Sequence, residues 1–382
     1  MKVPFYRHDL NVDDVAAVGQ VINSPFLTSG PVGKRVEAML TDYFGLPHAI
    51  LANSWTNGAV ALLLAMGISP GDEVIVPAMT FVATANVVEL VGAKPVFVDV
   101  DCTTLLLTPE AVEAALTERT RAVIPVHLYG QMCDMRGMRQ VLSGRPDIYL
   151  IEDAAHCFEG TRDGYRPGAH SDAAVFSFYA TKNVACGEGG AIICSDADLY
   201  EKLMQTRLHG MDAAAINRYQ KDSYRHWDMI RLGTKANLPD LLAALLPRQI
   251  ECVDERLVVR KQIVARYRDA FADGPLWLQA DVSEAMSAEH MFTINCGAAR
   301  DEAIARLSQA GIGVGVHYRP PAQSAFYKNR YGFRPEDHPI STAWGNGTLT
   351  LPLYAGLTQQ EQQHVIDIVK GEVYPLASME RV

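Results

Sequence analysis

Lys182 lies in the run FSFYATKNVACGEGGAI, residues 176–192. An apolar stretch ends at Phe178, and Gly187, Gly189 and Gly190 follow, giving the backbone freedom for tight geometry. A lysine beside a buried strand end is costly unless its amine is paired, deprotonated or covalently modified. A Schiff base with an aldehyde cofactor meets that condition. An exposed loop lysine escapes the cost altogether, and this segment alone leaves the two readings even.

Three further segments carry chemistry. Ile151-Glu152-Asp153-Ala154-Ala155-His156 sets an acid and an imidazole at the end of an apolar run. A pyridoxal cofactor needs a carboxylate on its ring nitrogen, a role that suits Asp153, and His156 could contact the ring hydroxyl. The plainer alternative makes Asp153 a helix cap and His156 a satisfied core histidine. Asn53-Ser54-Trp55-Thr56-Asn57-Gly58 opens an apolar helix, where free N–H groups and hydroxyls could cradle a phosphate or simply cap the turn. Pro77-Ala78-Met79-Thr80-Phe81 could lay Phe81 over a flat ring, although an aromatic there is more often core.

The elements around these motifs read as an α/β fold. Between about residues 48 and 200, continuous apolar runs at 48–53, 73–77, 95–100, 122–126, 148–152, 174–178 and 190–194 read as strands buried on both faces. Helical patterns at 57–66, 81–91, 109–116 and 199–207 alternate with them, and no hairpin signal appears, so a mainly parallel sheet wrapped by helices is expected. Ligands on such sheets lie at the carboxyl ends of strands, which is where the motifs fall. After about Leu238 a long helical stretch, 240–270, leads to apolar runs at 290–296 and 313–318 and helices near 300–310 and 358–371. The expected division is a large α/β domain with an N-terminal arm, 1–250, and a smaller C-terminal α+β domain, 251–382.

Composition excludes several classes. The 382 residues are 48% apolar and 20% charged, as in an ordinary soluble globular protein. A net charge of −10 argues against nucleic acid or an anionic membrane as partner. Seven cysteines, an odd number without C-x-x-C spacing, give neither a disulfide framework nor a zinc ribbon. No stretch approaches the roughly 18 apolar residues of a membrane span, and MKVPFYRHDL lacks the core of a signal peptide, so a cytoplasmic protein is expected.

Together, NSWTNG, PAMTFVATANVV, IEDAAH and FSFYATKN–GEGG, in that order, resemble the DegT-type sugar aminotransferases, a branch of the fold-type I pyridoxal-phosphate enzymes. The likeness continues through HGM (209–211), KANLPDLLAAL (235–245), GIGVGVHYRP (311–320) and LPLYAGLT (351–358), nearly the whole chain. The wording is most similar to transaminases that make 4-amino sugars for lipopolysaccharide and related glycans.

The resemblance implies roles. Lys182 matches the Schiff-base lysine, Asp153 the partner of the pyridine nitrogen and His156 a residue beside the ring hydroxyl. Thr56, Asn57 and Ser177 match phosphate contacts, and Phe81 the stacking aromatic. Asn237 matches an asparagine that reaches the phosphate of a neighbouring subunit, implying a homodimer with shared sites. His317 and Tyr318 match a segment lining the sugar site, and Thr28, Ser29 and Gly30 a loop at its entrance. Trp55 and Asn57 stand where the family has small residues, and Ala355 where it commonly has proline. The implied reaction moves an amino group from an amino acid, L-glutamate by analogy, to a keto sugar, most simply a nucleotide-linked 4-keto sugar. Family members that dehydrate sugars carry histidine in place of the lysine, so Lys182 disfavours dehydration. A non-catalytic regulatory protein would be expected to have lost Lys182 or Asp153. A dinucleotide oxidoreductase would need a G-x-G-x-x-G turn that the first strand lacks.

Overall fold

The apolar runs of the first 200 residues do become strands, for a reason visible in β2, where every residue of EVIVP is buried. The computed structural model describes residues 1–212 and 226–377. Its strands in this part are β1 (His48–Ala52), β2 (Glu73–Pro77), β3 (Lys94–Val98), β4 (Thr120–Val123), β5 (Tyr149–Asp153), β6 (Thr161–Arg162), β7 (Ala173–Ser177) and β8 (Gly190–Cys194). All but β6 join in one seven-stranded sheet of order β1-β8-β7-β5-β4-β2-β3. Alternation along β2 sends Val74 and Val76 to one face with Leu62, Leu63, Val87 and Val88, and Ile75 to the other with Met138 and Leu142.

Strands β3, β2, β4, β5 and β7 run parallel, as expected from the strand–helix alternation. The exception is β8, antiparallel to both β7 and β1. A parallel return needs a crossover of a dozen or more residues, usually a helix, and the Lys182 loop between β7 and β8 contains none. That loop instead turns back directly, with Gly187 at φ 88°. The helices that matter for the site are α1 (Val12–Ile22), α2 (Pro31–Phe44), α3 (Trp55–Ala65) and α4 (Val82–Leu90).

Beyond the sheet, the helical stretch expected over 240–270 is three helices, Asp240–Ala243, Pro247–Glu251 and Val253–Phe271. Pro247 has no N–H to continue the first of them. A three-stranded antiparallel sheet follows, built from β9 (Trp277–Leu278), β11 (Phe292–Asn295) and β12 (Thr348–Leu351), while β10 (Ala285–Met286) pairs with β6. Its core of Phe292, Ile294, Leu349 and Leu351 packs on Tyr267, Phe271 and Val365. The apolar run at 313–318 is not a strand, although Gly315 bridges Thr350 of β12. The N-terminal arm lies there, with Val3 bridging Ile312, and a Cβ at Gly313 would come within 2.5 Å of the Phe5 backbone nitrogen. Among the described residues no helix is long and apolar enough to cross a membrane.

Candidate active site

The carboxyl ends of β1, β5 and β7 meet at one edge of the sheet. Register places Ala52 opposite Gly190, Gly190 opposite Ser177, and Asp153 opposite Val175. The turn that starts α3, the β5 end and the Lys182 loop are therefore neighbours although far apart in sequence.

Asp153 closes β5 and is buried. Its Oδ2 accepts from the Thr84 hydroxyl at 2.8 Å, and its Oδ1 from the Ala155 N–H at 3.2 Å. Thr84 lies one turn beyond Thr80, the two hydroxyls 2.8 Å apart. Burial pushes the Asp153 carboxyl above the ordinary carboxylate range; these hydrogen bonds and the Lys182 charge oppose it. The adjacent Glu152 points to the opposite face, as strand alternation requires, and binds His127 Nε2 at 2.6 Å and the Gly168 N–H at 2.7 Å. Only Asp153 of that acid pair belongs to the site.

Lys182 is half-buried, and its backbone N–H closes a turn onto the Tyr179 carbonyl. Among the described residues its amine has no hydrogen bond or ion pair. Burial pulls the amine down from its ordinary value to about 8, partly offset by the Asp153 charge. It lines one cavity with His156, Ser177, Asn183 and His290.

His156 is buried between two partners: Nδ1 accepts the Tyr129 N–H at 3.2 Å and Nε2 lies 2.9 Å from the Tyr318 hydroxyl. A ring whose Nδ1 accepts carries its proton on Nε2, so His156 donates to Tyr318. Desolvation holds this imidazole well below its ordinary pKa, and it stays neutral. Tyr318 continues the chain of rings to Phe81, 5.4 Å away and 53% exposed. His317 packs its ring edge-on against Tyr318, with centroids 5.0 Å apart. Its Nδ1 is 2.7 Å from the Thr350 hydroxyl, its ring stacks on Phe5, and its carbonyl accepts from the Tyr129 hydroxyl.

At the start of α3, Ser54 caps the helix by accepting the Asn57 N–H at 3.0 Å, and Asn57 spends an amide donor on Asn53. The first N–H groups of a helix have no partner inside it, so those of Trp55 and Thr56 face outward, beside Ser177. A Cβ on Gly190 would come within 2.8 Å of Phe176 O, Trp55 N and Ser54 C, so only glycine lets β8 and this turn meet. Asn237 sits near the same turn, since the Asn53 N–H bonds Ala236 O at 2.7 Å. Its amide donates to Ser29 at 2.8 Å, while its Oδ1 is buried without a partner. Thr28, Ser29 and Gly30 are fixed by Asp240, whose carboxylate accepts from the N–H groups of Gly30, Val32 and Gly33 at 2.9–3.0 Å.

The structure thus brings Lys182, Asp153, His156, Ser177, Phe81 and Tyr318 around one edge and sets Thr56 and Asn57 beside it. Thr28–Gly30 and Asn237 form a separate contact at its margin, and the His317 ring packs edge-on against Tyr318. Sequence reading did not single out Thr84, Tyr129, Asp240 or His290. Thr84 had a signal, the i, i+4 spacing from Thr80 in the PAMTFVAT motif; the others act through contacts with no local pattern.

An unpaired, partly desolvated lysine, a buried carboxylate and a helix start with free N–H groups are the donor set that pyridoxal phosphate requires, and on this sheet they define a pyridoxal-phosphate transferase of fold type I. Comparison with known proteins narrows this class: the chain belongs to the DegT/DnrJ/EryC1/StrS aminotransferase family, whose model matches residues 8–370. It is 36% identical over 380 residues to the spore coat polysaccharide biosynthesis protein SpsC of Bacillus subtilis, covering 97% of both chains. Spr1654 of Streptococcus pneumoniae, assigned as a sugar aminotransferase and solved in its PLP form, superposes with a TM-score of 0.91 at 29% identity, over 99% of this chain and 100% of that one. DesV of S. venezuelae gives 0.87 at 31% identity, over 100% of both. The protein is a pyridoxal-phosphate-dependent sugar aminotransferase.

Proposed function

We propose that this enzyme moves the amino group of L-glutamate to a nucleotide-linked 4-keto sugar in the cytoplasm, for lipopolysaccharide or a related glycan. The observation that carries the reading is the pairing, at one sheet edge, of an amine brought down to about 8 with a buried carboxylate held by Thr84. Pyridoxal phosphate, when bound, supplies the electron sink. Lys182 anchors it and, once free, can take and return the proton at the carbon that carries nitrogen. Asp153 would hold a proton on the ring nitrogen, and a cationic N–H there would relieve the cost of its burial. His156, donating to Tyr318, would stand beside the ring hydroxyl, and Phe81 would cover the ring face. Thr56, Asn57 and Ser177 hold the phosphate through hydroxyls, backbone N–H and amide donors.

Asn237 reaches the phosphate of a second copy in a homodimer. An apolar row supports such a dimer, with Val12 79%, Val15 72% and Ile22 62% exposed along α1. Thr28–Gly30, His317 and Tyr318 border the sugar. We place the large domain at 1–250 and the small one at 251–382.

The test is amination of a panel of nucleotide-linked 3-keto and 4-keto sugars with L-glutamate, followed by mass spectrometry. Product from the 4-keto sugars supports the reading, and product only from 3-keto or non-nucleotide sugars overturns it.

A further inference from the structure

His290 lies just before β11, buried, and lines the same cavity as Lys182. Nothing proposed above uses it. Its Nδ1 lies 3.1 Å from Asn183 Oδ1, and its Nε2 is buried with no partner.

The hydrogen bonds behind it decide which nitrogen carries the proton. Glu159 is fully buried and paired with Arg260, on the helix Val253–Phe271. Asn183 donates its amide nitrogen to both Glu159 oxygens, at 2.9 and 3.2 Å, and to Ala288 O at 2.9 Å. A carboxylate and a carbonyl can only accept, so this amide cannot be turned round, and Oδ1 must face His290 as an acceptor. Nδ1 of His290 is therefore the donor, and in the neutral ring Nε2 is a bare lone pair. The charges and titratable groups around the ring are Lys182, His317, Arg260 and the neighbouring His156, whose ring is 4.7 Å away; with burial, the first three keep His290 neutral. The cavity thus holds an amine with no acceptor and an acceptor with no donor.

We infer that His290 is a positioning residue for the free amine of Lys182, accepting its N–H directly or through one water, with its tautomer set by the Arg260–Glu159–Asn183 chain. This rests on Lys182 being the reactive amine. The interaction favours the ammonium form of Lys182, so losing it lowers that pKa further.

Two substitutions separate the ring nitrogens. His290→Asn keeps a donor where Nδ1 stands and removes the acceptor; His290→Gln places an amide oxygen near the position of Nε2. The readout is the titration of Lys182 in cofactor-free protein carrying 13C-labelled lysine, its signal assigned by its loss in Lys182→Ala. His290→Asn is expected to lower the midpoint by about one unit, the scale of one hydrogen bond to a charged group, and His290→Gln to restore it. An unchanged midpoint in folded His290→Asn overturns the inference. So does an Nε2–H tautomer or an imidazolium for His290 in the 15N spectrum of the unsubstituted protein, which needs no folded Asn variant. Neither readout depends on the sugar or on turnover, so a wrong substrate assignment leaves both intact.

Discussion

Thr84 and Lys182 show how single contacts set the chemistry. Thr84→Val removes the hydroxyl that binds Asp153 and leaves a buried carboxylate with one partner fewer, at a cost of about 1–3 kcal/mol. Weaker cofactor retention, measured by equilibrium dialysis, is expected with it. The depressed amine of Lys182 also has a signed consequence for stability. Its folded pKa is below its unfolded one, so the unfolded chain binds more protons between about 8 and the ordinary lysine value, and stability rises with pH there. Cofactor-free Lys182→Met lacks this burden. Its advantage over the parent in urea melts is expected to be fullest below pH 8 and to close as the pH approaches 10, and a gap that widens instead would contradict the assigned shift. Lys182 and Asp153 were legible because one follows and the other closes an apolar strand run. His290 was not, since what marks it is a partner 107 residues away, and Thr84 showed only its spacing from Thr80, its partner Asp153 lying 69 residues on.

At the scale of elements, the site depends on β8 lying flat against the start of α3. Gly190→Ala would put a Cβ within 2.8 Å of three backbone atoms there, and the turn with its free N–H groups would have to move. The expected result is a fall in stability of about 1–3 kcal/mol by urea unfolding, with weaker cofactor binding. Six of the seven main strands follow the mainly parallel arrangement expected, since buried parallel strands are continuous apolar runs. The seventh, β8, has the same composition, and its reversal depends on the missing crossover helix rather than on its own residues. The apolar run 313–318 is likewise shaped by its neighbours: Gly315 bridges Thr350 of β12, and Gly313 and Gly315 admit Phe5 of the N-terminal arm.

For the whole molecule, family membership is shown by a match across residues 8–370, and motif order alone carried that far. Motif order does not encode the long-range contacts by which Tyr129 gathers His156 and His317 from distant segments. The most direct test of the central claim is the visible absorbance of purified protein with pyridoxal phosphate, before and after L-glutamate, beside Lys182→Ala. A yellow band in the parent that bleaches with glutamate, and neither band nor turnover in the variant, is the predicted result. A band that persists in Lys182→Ala with full activity, or a parent that never turns yellow, would contradict it.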